Sequence, residues 1–102
     1  MSRSRLDLHE ILCEVLGSRN VYFQPPESIK LKYPCIVYEK NYVQNLKADN
    51  KNYTTHKRYT VTVIDKDPDS DVPDKLLELP YTSYDRHFVS DNLNHEVLTL
   101  YY

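Results

Sequence analysis

The segment Arg58–Asp65, RYTVTVID, alternates β-branched and aromatic side chains without a break, and this commits the chain to a sheet. Tyr59, Val61 and Val63 share one face of that strand, and Thr60, Thr62 and Ile64 share the other. The neighbouring candidates behave alike. In Cys35–Lys40, Cys35 and Val37 oppose Ile36 and Tyr38. In His95–Tyr102, Val97, Thr99 and Tyr101 oppose Leu98, Leu100 and Tyr102. An antiparallel sheet with one wet face is polar at alternate positions, and these strands are apolar or aromatic at both. Each face of the sheet therefore needs a cover.

Helices supply one cover. Leu8, Ile11, Leu12, Val15 and Leu16 recur at helical spacing, with Arg3, Glu10 and Glu14 outside the stripe, so a helix is predicted over residues 5–16. Ser4 is its N-cap, Asp7 sits near the positive end of its dipole, and Gly17 closes it in the left-handed region. A second, two-turn helix follows Asp71, with Pro73 in its first turn, and runs through Leu79 to a stop at Pro80. Val21-Tyr22-Phe23 is a short strand halted by Pro25-Pro26, and residues 24–32 form a loop. Tyr84–Ser90 and His95–Tyr102 are strands around the turn formers DNLN. Asn41–Lys57, with four asparagines and few large apolar side chains, reads as a long exposed connection, with an unordered loop and an extension of the flanking hairpin as the alternatives.

The expected fold is α+β: a mainly antiparallel sheet of four to five strands with two helices packed on one face, residues 1–102 forming a single domain. Two short helices cover one face only. The other is expected to be covered by another chain, which makes the protein an oligomer. Ten tyrosines and no tryptophan suit strands that meet a partner across a half-wet surface.

Composition excludes several function classes. A single glycine, Gly17, leaves no Gly-rich phosphate loop and no dinucleotide fingerprint. A formal net charge of −2 is unlike that of a strongly basic nucleic-acid binder. No apolar run approaches the roughly 18–20 residues that span a bilayer, and the carboxylates near the start argue against a secretory signal, so no membrane partner is expected. The two cysteines, Cys13 and Cys35, are then expected to be buried free thiols rather than a disulfide framework.

Asp65, Asp67, Asp69 and Asp71 imitate the first half of a calcium loop, but Ser70 stands where that loop needs glycine and Leu76 where it needs a bidentate glutamate. Capping of the following helix and an acidic interface patch are the other readings. His9 and Cys13 lie at i, i+4, but no second pair has ligand spacing, so no metal, cofactor or catalytic residue is assigned. Lys47, Lys51, Lys57 and Arg58 form a basic stretch, with Tyr42 and Tyr53 beside them as possible anchors, which suits a docking loop for an acidic partner or for passing DNA. The acidic run and the basic stretch lie at opposite ends of one strand, some 26 Å for eight residues, too far apart to pair within one chain. Both, with Tyr101 and Tyr102 of the last strand, are candidate interface residues.

The blocks VYFQPPESIKLKYPCIVYEK and RYTVTVIDKDPDSDVPDKLLELPYTSYDRHFVSDNLNHEVLTLYY resemble the tail completion or tail terminator proteins of long-tailed phages, some described only as minor capsid or head–tail joining proteins. The resemblance covers nearly the whole chain. Its specific part is VTVIDKDPDSDVPDKLLELP, then DNLNH and the terminal LYY, whereas the opening helix is generic. It implies a sheet flanked by helices and a homo-oligomeric ring, usually a hexamer, that caps the tail tube and joins it to the head connector. The expected partners are the major tail tube protein, the head–tail connector proteins and DNA passing through the lumen. The expected location is the neck of the virion, at the top of the tail, after assembly in the host cytoplasm. The alternative is a head-side connector or stopper protein. The resemblance carries over no catalytic residue.

Overall fold

A computed structural model describes residues 4–48 and 51–102, and the side chains of 4–41 and 57–102. The elements run α1 (Arg5–Leu16), β1 (Val21–Phe23), β2 (Cys35–Ala48), β3 (Lys51–Asp65), α2 (Val72–Leu77), β4 (Thr82–Ser90) and β5 (Leu93–Tyr101). The strands form one five-stranded sheet in the order β1-β2-β3-β5-β4. All neighbours are antiparallel except β1, which runs parallel to β2 with Tyr22 beside Val37. The fold is the expected α+β, with both helices on one face.

That face is the core. Register places Ile36 opposite Val63, Tyr38 opposite Val61, and Val61 opposite Leu98, so alternate residues of three strands make one apolar surface. Leu8, Leu12 and Cys13 of α1 and Val72 and Leu76 of α2 close over it. Tyr38 and Tyr59 lie fully inside, their rings 5.9 Å apart. α1 begins as its sequence dictates: Ser4 Oγ accepts the Asp7 N–H at 3.1 Å, and Gly17 at φ 83° donates its N–H to the Cys13 carbonyl.

Boundaries and local contacts differ from expectation at several points. α2 ends at Leu77, not Leu79, because Glu78 and Leu79 donate to the carbonyls three residues back, tightening the last turn ahead of Pro80. Asp71 holds the N-cap position without a side-chain cap bond; Ser70 Oγ accepts from the Val72 N–H instead, and Asp71 pairs with Lys75 at 3.4 Å. The final turn is Asp91-Asn92 alone, both at positive φ, which leaves Leu93 and Asn94 in β5. The largest correction is Asn41–Lys57, where the alternative of an extended hairpin holds in place of the exposed connection. Instead of a loop it continues β2 to Ala48 and β3 back to Lys51, with register shifts between Lys40 and Tyr42 and between Leu46 and Lys47. Its polar composition hid the strands because the segment runs past the sheet body: β5 pairs no further than Arg58 opposite Tyr101, and β1 no further than Phe23 opposite Tyr38. An arm that has no further strand beside it among the described residues is not selected for an apolar alternation. β3, at fifteen residues and about 3.3 Å each, accounts for the 51 Å length of a molecule 27 Å and 22 Å across.

Candidate functional site

The second face of the sheet carries Cys35, Val37, Thr60, Thr62, Ile64, His95, Val97 and Thr99 by the same alternation. Part of it is closed by the chain itself. Cys35, Ile64 and Val97 are buried although no helix of the described residues lies on this side. The segment after β1 folds back here, so that the Lys32 N–H donates to Tyr22 Oη at 3.3 Å. Burial, with the Asp65 carboxylate adding to it, pushes the Cys35 thiol up to about 11. Cys13 is likewise buried, its thiol raised chiefly by desolvation. What stays open is the threonine centre and an aromatic end, where Phe88 stacks on His95 at 4.6 Å between centroids and Arg86 lies over Phe88 at 6.0 Å.

The two charged regions stand at the two ends of β3. Lys47 and Lys51 lie on the arm, and their side chains, with those of Tyr42 and Tyr53, are outside the described residues. Lys57 and Arg58 stand at its root. Arg58 Nε donates to Asn41 Oδ1 at 2.9 Å, and Asn41 in turn bonds Thr60 Oγ1, so this corner of the second face is held by a polar chain. At the other end the acidic run is a built turn. Asp65 Oδ1 accepts the Asp67 N–H at 3.0 Å, and Asp67 Oδ1 accepts the Asp69 N–H at 2.9 Å, two successive Asx turns that carry the chain from β3 into α2. Asn94 Nδ2 donates to the carbonyls of Asp65 and Lys66, which ties the turn to β5. The carboxylates thus shape a rigid acidic corner. Asp69 and Asp74 line a depression of about 310 Å³ there with Leu77, Tyr84 and Glu96. Tyr84 donates its hydroxyl proton to Glu96, which pushes the phenol up to about 12. Among the described residues, no three His, Cys, Asp or Glu side chains gather as a metal site would require.

Tyr101 and Tyr102, adjacent in sequence, do different work. Tyr102 is pinned to Lys57 through both its backbone N–H (2.9 Å) and its carbonyl (3.4 Å). Its ring packs on the core and, with Leu8, Ile11, Leu79, Pro80 and Leu100, lines an apolar depression of about 290 Å³ between the helices. Tyr101, paired with Arg58, belongs to the second face and is half-buried.

β4, expected as a strand from Tyr84 to Ser90 and observed from Thr82, holds no residue of the candidate interface set. It is an edge strand of nine residues, exposed nearly throughout, with Tyr84, Phe88 and Val89 among the large apolar side chains in solvent. A bulge between Tyr84 and Arg86 and the Asp85–Arg86 ion pair at 3.0 Å interrupt its outer edge. The Asp-Asn turn is the signal that could have found the aromatic end, since a two-residue turn puts Phe88 opposite His95. No protein-family model matches the chain, and no curated protein matches it. No helix among the described residues is long and apolar enough to cross a membrane.

Proposed function

We propose that the chain is a structural subunit of a phage head–tail junction, forming a homo-oligomeric ring, hexameric as the resemblance implies, that terminates the tail tube and joins it to the head connector. The observation that carries this reading is the arm. Past Lys40 and Lys57, β2 and β3 pair only with each other among the described residues. A two-stranded ribbon alone is marginal in water and gains stability when something packs on it. A second chain is the natural support, and the arm's lysines and the acidic corner of β3–α2 are of opposite sign, as a head-to-tail contact between copies requires. The half-open second face and the exposed edge of β4 offer further contact area for the tube protein or the connector.

Terminating a tube needs no chemistry. Tubes grow by stacking like rings, and each open end is a template for the next. A terminator matches the tube on one side and withholds its contacts on the other, so its specificity lies as much in absent contacts as in present ones. The experiment is electron microscopy of the lysate from a phage lacking this protein. The reading expects filled heads, no joined particles, and tails that are unstable or of irregular length. Normal tails beside emptied, unsealed heads would move the protein to the head side as a connector or stopper. Intact infectious particles would refute both.

A further inference from the structure

α1 is fastened to the sheet by three side chains. The Tyr38 hydroxyl, on a residue with no exposed surface, lies 2.7 Å from His9 Nδ1 and 3.2 Å from Arg5 Nη1. Arg5 is held over the Phe23 ring at 4.3 Å. Counting protons fixes the roles. Arg5 can only donate, so the phenol oxygen accepts from it. The phenol keeps its own proton, because burial raises the Tyr38 hydroxyl above its ordinary range. Among the described residues that proton has one acceptor within reach, His9 Nδ1, which must therefore be bare, with the ring hydrogen on Nε2. A protonated His9 would put a second donor against the phenol oxygen, strand the buried phenol proton, and set an imidazolium beside Arg5.

We propose that His9 is a pH-sensitive latch: neutral, it locks α1 onto β2 through Tyr38, and protonated, it releases the first turns of the helix. The groups facing it are consistent with this. From α1 itself come Arg5 and Glu10, and from the turn after the helix comes Arg19, while β2 presents Tyr38 with Tyr59 of β3 behind it. Glu10, the one anion among them, is occupied by Arg19 in a two-pronged ion pair at 2.7 and 3.0 Å, so it is poorly placed to stabilise an imidazolium. Desolvation and, after it, the Arg5 and Arg19 charges hold His9 below its ordinary 6.5. The sign follows. Between that lowered value and 6.5 the unfolded chain binds a proton that the native chain refuses, so the latch is fully stabilising above 6.5 and is lost as pH falls through the window. The proposal is independent of the junction reading.

The test is amide hydrogen exchange of the α1 residues Leu8 to Leu12 in the intact protein at pH 7.5 and pH 5, corrected for intrinsic rates, with an NMR titration of the His9 ring. The expected result is a titration below the free value and protection of α1 that falls on acidification, by about tenfold for each unit of that displacement. His9→Asn places an amide oxygen near the Nδ1 position and cannot titrate; it keeps the protection of α1 and removes its pH dependence. Tyr38→Phe removes the stranded proton, so the pH dependence shrinks there too. If the wild type and both variants lose protection in parallel, or if His9 titrates at its free value with α1 unchanged, the latch is refuted. Should His9→Asn fail to fold, the wild-type titration and Tyr38→Phe decide alone.

Discussion

Tyr101→Ala and Tyr102→Ala, made separately, separate folding from assembly at adjacent positions. Tyr102 packs against the buried core on the helix side of the sheet and helps line the depression there with Leu8, Ile11, Leu79, Pro80 and Leu100. Emptying a fully buried aromatic site costs about 3–5 kcal/mol. Tyr102 lies at the rim and half-buried, so roughly half of that, about 2 kcal/mol, is expected from the lost contacts. The backbone bonds to Lys57 survive the substitution. In a domain of this size about 2 kcal/mol lowers the thermal midpoint by about 10 °C. Tyr101, on the other face, has no helix above it, and its loss should move the midpoint by no more than about 3 °C. Its effect should fall on the oligomer instead. Circular dichroism melts of the monomeric fraction measure the first quantity, and native mass spectrometry over a concentration series measures the second. If Tyr102→Ala melts within about 2 °C of wild type, or if Tyr101→Ala is the one that unfolds, the assignment of the two rings to opposite faces is wrong.

Asp67→Asn with Asp69→Asn keeps the side-chain oxygen that Asp67 offers the turn but removes two charges, so the fold should hold while oligomer formation loses much of its dependence on salt; an unchanged salt profile would reduce the acidic run to a turn builder. Cys35, buried and with its thiol near 11, should resist alkylation at pH 8 in the native protein and react at once in denaturant; fast native labelling would mean the second face is open over it.

The legible parts of this fold are those where a side-chain pattern reports on a neighbour. Ser4 and Gly17 delimit α1 because each answers a local demand of the helix end, and Tyr59, Val61 and Val63 alternate because α1 and α2 lie on one side of them. The arm was illegible for the same reason: with no layer against it, nothing selected a period in Asn41–Lys57. The edge strand β4 was legible as a strand from Tyr84 to Ser90, but its charged Asp85-Arg86-His87 masked a register that the following Asp-Asn turn had already set. Among the candidate interface residues, the charge separation of Asp65–Asp71 from Lys47–Arg58 could be read because distance along a strand is arithmetic. The split between Tyr101 and Tyr102 required knowing where the helices sit, which no local pattern contains.

The two ends of β3 differ in more than sign. The acidic end is built before any partner arrives: successive Asx turns and Asn94 hold its backbone, so docking there orders little and loses little entropy. Beyond its root at Lys57 and Arg58, the basic end is a ribbon whose strands pair only with each other among the described residues, so a partner that packs on it adds stability the free chain lacks. A rigid socket and an arm that gains by being covered make a directional pair. Copies joined arm to socket propagate in one sense only, and closure into a ring then leaves no arm and no socket unused. In such a ring the addition of further copies around the circle would stop because the complementary groups have run out. For a proposed terminator this matters, since the contacts that close the ring are then spent within it, and the axial contacts that match or refuse the tube fall to other surfaces, the second face and the edge of β4.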